Sequence, residues 1–333
     1  MVGSVMMRFK PGDRIGLYVI DSELATDATG ISYRAIHQVL PRHAIVKVMH
    51  AASIYPPAIK QPLAVHVLRE ACILEALHHP GVIRLYESNL LADRRPWFAR
   101  ELVAGDTVAS VLPPGSLERM DAIALVRDIA AVLDHAYRRG IINCGLRPDR
   151  IVLTGRSRGY PICITDWADA RAHDAAPLGP YAPSPASWHY TSPELACGDP
   201  IDDRTDVFAL GVIAYQLFTG HLPFDGEGIA MMSDGSRQHV PTEVRCPDVP
   251  RELTGLVDTM LAHDRWDRPS MAEVYGDLRW LADVLATPVS RPREIVRVRR
   301  PRWTPNVVDI PGLEGERGYE ALLGEETPDP EHQ

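Results

Sequence analysis

Three places in this chain carry residue types that could do chemistry. Lys47 stands inside the apolar run His43-Ala-Ile-Val-Lys-Val-Met49, where an ammonium group is costly to bury without a partner. The pattern offers Glu70 as that partner, set among Leu63, Val67, Leu68, Ala71, Leu74 and Leu77 near helical spacing. The third place is Ile141-Ile-Asn-Cys-Gly-Leu-Arg-Pro-Asp-Arg-Ile-Val-Leu153, followed by Ile162-Cys-Ile-Thr-Asp-Trp-Ala168. The chemistry open to such a set is charge pairing, either within the chain or with a charged ligand.

Several elements must position these groups. Tyr18–Leu24 and Ile31–Ile36 alternate apolar and polar residues around the turn material Asp27–Gly30, which predicts a hairpin. His43–Met49, Val82–Tyr86 and Trp97–Val103 add three strands, and His79-Pro80-Gly81 ends the helix that carries Glu70. Five strands and one helix make a small lobe. From about residue 106 the pattern turns helical: Ala122, Val126, Ile129, Leu133 and Tyr137 keep the 3.6 period, and Arg204–Phe218 is apolar nearly all round, as in a helix buried in a large domain. The expected class is α+β and bilobal, with a small N-lobe of antiparallel sheet plus one helix and a larger, mainly helical C-lobe.

Composition removes other classes. With 333 residues and 45% apolar content the chain can bury a large core. A net charge of -9 gives no support to nucleic-acid binding. Cys72, Cys144, Cys163, Cys197 and Cys246 are isolated and lack C-x-x-C spacing, which argues against a disulfide framework or a zinc site and for a reducing cytoplasm. No apolar run at the start reads as a signal peptide, and none elsewhere is long enough to span a membrane.

Across residues 14–285 the chain resembles the Hanks-type serine/threonine protein kinases, bacterial in flavour. Ala44-Ile-Val-Lys47 is similar to V-A-I-K, and Arg69-Glu70-Ala71 with Leu74 to the helix glutamate region. His79-Pro80-Gly81-Val82-Ile83 resembles the H-P-N-I-V corner, Glu101-Leu-Val103-Ala-Gly105 the hinge, Thr191-Ser-Pro-Glu194 the A-P-E region, Asp206-Val-Phe-Ala-Leu-Gly211 the D-V-W-S-L-G helix, and Arg268 the late arginine. The resemblance implies a leader over 1–13, an N-lobe over 14–104, a C-lobe over 105–286 and a basic-then-acidic tail over 287–333. It also implies a nucleotide cleft lined by Gly30, Lys47, Glu70, Glu101, Val103, Arg147 and Asp166, and architectural roles for Glu194, Asp206 and Arg268.

The same resemblance exposes what is missing. The catalytic loop should read H-R-D-L-x-x-x-x-N, but Asn143, Cys144 and Gly145 replace its first three residues and Arg150 its metal-ligand asparagine. Gly145 has no side chain to accept a substrate proton, and Arg150 repels Mg²⁺. Asp166 keeps the metal-binding carboxylate, with a salt bridge to Lys47 or Arg150 as the alternative. Lys47 either meets phosphate or only pairs with Glu70. The phosphate loop reads Ala25-Thr-Asp27-Ala-Thr-Gly30-Ile-Ser32, retaining one glycine and adding the carboxylate of Asp27. Ile45 and Ser32 alter the purine roof. Arg100, at an ordinarily apolar position, is expected to pair with Glu70 or Asp166 and so to compete with Lys47, the alternative being that it snorkels outward.

These departures imply a catalytically impaired, cytoplasmic pseudokinase: a scaffold or allosteric partner of another protein, an active kinase or its substrate. The alternatives are a weak or atypical ATP-dependent kinase and a nucleotide sensor without turnover. ATP is the candidate cofactor and Mg²⁺ is disfavoured. The proline-rich segment with Pro177, Pro180, Pro183 and Pro185 reads as a polyproline-like strap or a docking strip, with Ser184 and Ser187 as candidate phosphosites. The tail reads as a solvated linker, or as a docking segment anchored by Leu313, Tyr319, Leu322 and Leu323.

Overall fold

The computed structural model describes residues 8–27, 30–50, 63–155, 158–173, 185–224 and 238–285. The tail, Ser184 and Pro177 to Pro183 of the proline-rich segment lie outside the described residues.

The small lobe is one antiparallel sheet of β1 (Arg14–Ile15), β2 (Tyr18–Thr26), β3 (Gly30–His37), β4 (His43–Met49), β5 (Leu85–Leu90) and β6 (Pro96–Glu101), in the order β1-β2-β3-β4-β6-β5. Its strand count exceeds the predicted five by the two-residue β1, too short to leave a period-two signal. Side chains alternate between faces. Ile31, Tyr33, Ala35, Ala44, Val46, Val48, Trp97 and Ala99 pack with Ile15, Tyr18 and Ile20 into an apolar cluster on one side. The opposite side therefore carries Ser32, Arg34, Ile45, Lys47 and Arg100, in the register Ser32↔Lys47, Arg34↔Ile45 and Ile45↔Arg100.

The predicted strand at Val82–Tyr86 begins three residues late. Val82 and Ile83 are drawn to the large lobe, where the Ile83 N–H donates to the Ile164 carbonyl at 3.2 Å. Helix α1 (Leu63–Ala76) brings Glu70 to the sheet.

The large lobe is built on α2 (Arg119–Tyr137) and α4 (Asp203–Thr219), with α3 (Pro193–Cys197), α5 (Thr242–Arg245), α6 (Arg251–Met260) and α7 (Met271–Leu285) around them. The apolar face of α2 and the all-round apolar α4 share one core. Asp202 caps α4, accepting the Arg204 N–H at 3.0 Å, and Gly220 ends the helix in the left-handed conformation at φ 73°.

Two small ladders set the site. β7 (Ile141–Ile142) pairs with β10 (Arg171–Ala172), and β8 (Ile151–Leu153) with β9 (Ile162–Ile164). They fix both ends of the loops 143–150 and 165–170 and bring them side by side.

Candidate functional site

The loop after β7 is held from below. Asp206, at the start of α4, accepts the backbone N–H groups of Asn143 at 2.7 Å and Cys144 at 2.9 Å. Cys144 is left-handed at φ 58°, a strained conformation for a residue with a Cβ, held by such donors. The Asn143 amide donates to the Asp166 carbonyl at 3.1 Å and accepts the Gly145 N–H at 3.1 Å. Burial pushes the Asp206 carboxyl up to about 7 despite its two donors, with Asp203 and Glu194 adding to the rise.

A carboxyl raised in the folded state contributes stability that is complete below its unfolded value of about 3.9 and is lost as pH climbs through about 7. Chemical denaturation at several pH values is expected to show the wild type losing stability relative to Asp206→Asn across that window.

The cleft charges are paired off one by one. Lys47 Nζ lies 2.9 Å from Asp27 Oδ2, at the tip of the β2–β3 hairpin. Glu70 Oε1 lies 3.1 Å from Arg100 Nη1, which also donates to the Thr165 carbonyl at 3.0 Å. Arg150 Nη1 lies 3.1 Å from Asp166 Oδ2 and 3.3 Å from Asp169 Oδ2. The Lys47–Glu70 pair that the resemblance implies is thus replaced: Glu70 meets Arg100, on the strand beside that of Lys47, and Lys47 meets Asp27. Burial pushes the Glu70 carboxyl up, and Arg100 is the largest influence against that rise.

Gly30, the one glycine kept from the phosphate loop, has a reason within the sheet: a Cβ there would lie 2.4 Å from the Val48 carbonyl oxygen. Asp27 caps the same turn by accepting the Gly30 N–H at 2.9 Å. Retention of Gly30 therefore says nothing about phosphate.

The hinge is clamped from behind. Arg158, between β8 and β9, donates to the Glu101 carboxylate at 3.0 Å through Nε, to the Val82 carbonyl at 3.2 Å, and to the Pro80 carbonyl. Val103 packs against the large-lobe core. Arg147 donates to Asp149 Oδ1 at 2.9 Å and to the Ser187 hydroxyl at 3.0 Å. Burial alone would raise the Asp149 carboxyl, but Arg147 holds it below the usual carboxylate range. Ser187 is buried in the 3-10 turn Pro185–Tyr190, so its hydroxyl is not presented for phosphorylation. Trp167 is fully buried, with its indole N–H donated to the Ile164 carbonyl at 3.2 Å.

Glu194 and Arg268 meet in a two-pronged pair at 2.8 and 3.1 Å. Burial alone would raise the Glu194 carboxyl, yet Arg268 holds it below its ordinary value. Sequence reasoning missed Arg158 and Asp169. Nothing local marks Arg158, whose partner Glu101 is 57 residues away; Asp169 carries a local signal, a second carboxylate three residues beyond Asp166 in the same loop.

Residues 18–280 match the family described as protein kinase domain. The chain belongs to the protein kinase family. The serine/threonine-protein kinase pkn2 of Myxococcus xanthus is 28% identical over 272 residues, covering 79% of this chain and 32% of its own length. The serine/threonine-protein kinase PknA of Mycobacterium tuberculosis is 27% identical over 251 residues, covering 74% of this chain and 56% of its own length. The chain thus spans only part of these curated relatives, from about a third to just over half. The crystal structure of the Mycobacterium tuberculosis PknI kinase domain superposes with a TM-score of 0.60 at 23% identity, over 82% of this chain and 99% of that domain, and shares the kinase fold.

Protein kinases generally use ATP with Mg²⁺. The residues present do not fit the metal. Its asparagine position is Arg150, and that guanidinium already lies against Asp166 and Asp169, where a divalent cation would be repelled. No helix among the described residues is long and apolar enough to cross a membrane.

Proposed function

We propose that this kinase-fold chain is a pseudokinase, acting as a scaffold or allosteric partner of another protein, an active kinase or its substrate. One observation carries the reading: the three groups that would meet phosphate and metal, or position the group that does, are each paired with a residue foreign to the family pattern. Lys47 is taken by Asp27, Glu70 by Arg100 and Asp166 by Arg150. A fixed internal cation offsets the charge of Asp166, and Arg100 and Arg158 join small-lobe and large-lobe atoms directly. The architectural pairs around the site are kept, which suits a protein whose shape is used.

Purified chain incubated with labelled ATP, Mg²⁺ or Mn²⁺ and generic protein substrates is expected to transfer no phosphate, and its thermal midpoint is expected not to respond to metal with ATP. Transfer that disappears in Lys47→Met would overturn the reading. Of the three pairs, Lys47–Asp27 is the most easily displaced, because Asp27 is half exposed and such pairs contribute about 1 kcal/mol or less. A shift with ATP alone, without metal, would favour a nucleotide sensor.

A further inference from the structure

The acceptor end of the site still has a carboxylate, although residue 145 has no side chain. A Cβ built on Gly145 would lie 2.9 Å from Asp169 Oδ2 and 3.1 Å from Asp169 Cβ. An aspartate at 145 would carry its own oxygens about 2.4 Å from that Cβ. Asp169 therefore stands beside the place the missing side chain would take, and a side chain at 145 would require the Asp169 carboxylate to shift. Arg150 fixes Asp169 through Oδ2 at 3.3 Å. The side chain is 29% exposed, so it can be reached from solvent.

The surroundings on this side are ordered as well. Arg147 ties the loop to the Ser187 hydroxyl at 3.0 Å, the Ser187 carbonyl accepts from the Thr191 hydroxyl at 2.9 Å, and the Glu194–Arg268 pair locks the segment below. The acceptor side keeps an anchored platform, and because Asp166 and Asp169 share the one guanidinium of Arg150, negative charge is left at the place where a hydroxyl proton would be received.

We propose that Asp169 takes over the hydroxyl-accepting role of the absent side chain at 145, so that an extended segment of a partner protein docks with a serine or threonine hydroxyl on Asp169 without being phosphorylated. The last clause rests on the pseudokinase reading; the assignment of Asp169 does not. A hydroxyl donating to a carboxylate is a charge-assisted hydrogen bond, and its loss weakens binding by about tenfold or more.

The test uses the full chain and an array of extended serine-centred peptides with alanine-centred twins, read by fluorescence anisotropy, with labelled ATP and metal added to parallel samples. Serine peptides are expected to bind about tenfold more tightly than their twins. The isosteric Asp169→Asn is expected to erase that preference while leaving the thermal midpoint nearly unchanged. Gly145→Asp combined with Asp169→Gly is expected to recover the preference, with the carboxylate returned to residue 145. Equal binding of the two peptide sets, or a preference indifferent to Asp169→Asn, would overturn the assignment and leave the pseudokinase reading standing. Phosphate transfer to serine that depends on Asp169 would overturn the pseudokinase reading and uphold the assignment.

Discussion

Arg268→Ala is expected to lower the stability of the kinase domain at neutral pH by about 3–5 kcal/mol, the cost of leaving one partner of a buried ion pair uncompensated. The Arg268 side chain is 0% exposed and Glu194 8%. The guanidinium does more than neutralise Glu194, since it also donates to the carbonyls of Ala262, His263 and Arg204. Lysine has neither the fork nor the number of donors, so Arg268→Lys is expected to recover little. In the wild type the depressed Glu194 carboxyl contributes stability that is present above its unfolded value and lost as pH falls through its lower folded value. In Arg268→Ala that carboxyl is free to protonate at higher pH. The difference between variant and wild type in urea denaturation is therefore expected to narrow below about pH 4.

The second large effect is at Arg100. Arg100→Leu leaves Glu70 buried and facing Asp166, whose charge further disfavours ionisation of Glu70. A loss of about 3–5 kcal/mol is expected while Lys47 stays with Asp27. Lys47 is the other cation whose charge reaches Glu70, and it is held by an exposed partner. Adding Asp27→Gly to Arg100→Leu is therefore expected to release Lys47 towards Glu70 and restore part of the loss, so that the double variant is more stable than the sum of the single changes predicts. A double-mutant cycle by chemical denaturation checks this. Strict additivity would mean that Lys47 cannot make the exchange, and that Asp27 is not what keeps it from Glu70.

These pairs have one feature in common. Asp27, Arg100 and Arg150 stand at positions where the family has other residue types, and each meets one of the inherited charges. A buried charge without a partner is costly, and an internal counter-charge offsets that cost.

The N-lobe hairpin, the strand bearing Lys47, the helix bearing Glu70 and the buried α4 were legible because periods of 2 and 3.6 are written into neighbouring residues. The kinase family and the architectural triplet Glu194, Asp206 and Arg268 were legible through motif order, and Arg100 was expected to find Glu70 or Asp166 because a cation on an interior strand needs a carboxylate. Tertiary structure alone decided which of them it met, that Lys47 turns to Asp27, that Arg158 clamps Glu101 from 57 residues away, and that Asp169 stands over Gly145. The reason is geometric: several carboxylates lie within reach of each cation in principle, and the partner chosen depends on distances of about 3 Å between loops, set by the two short ladders β7–β10 and β8–β9 rather than by any spacing along the chain.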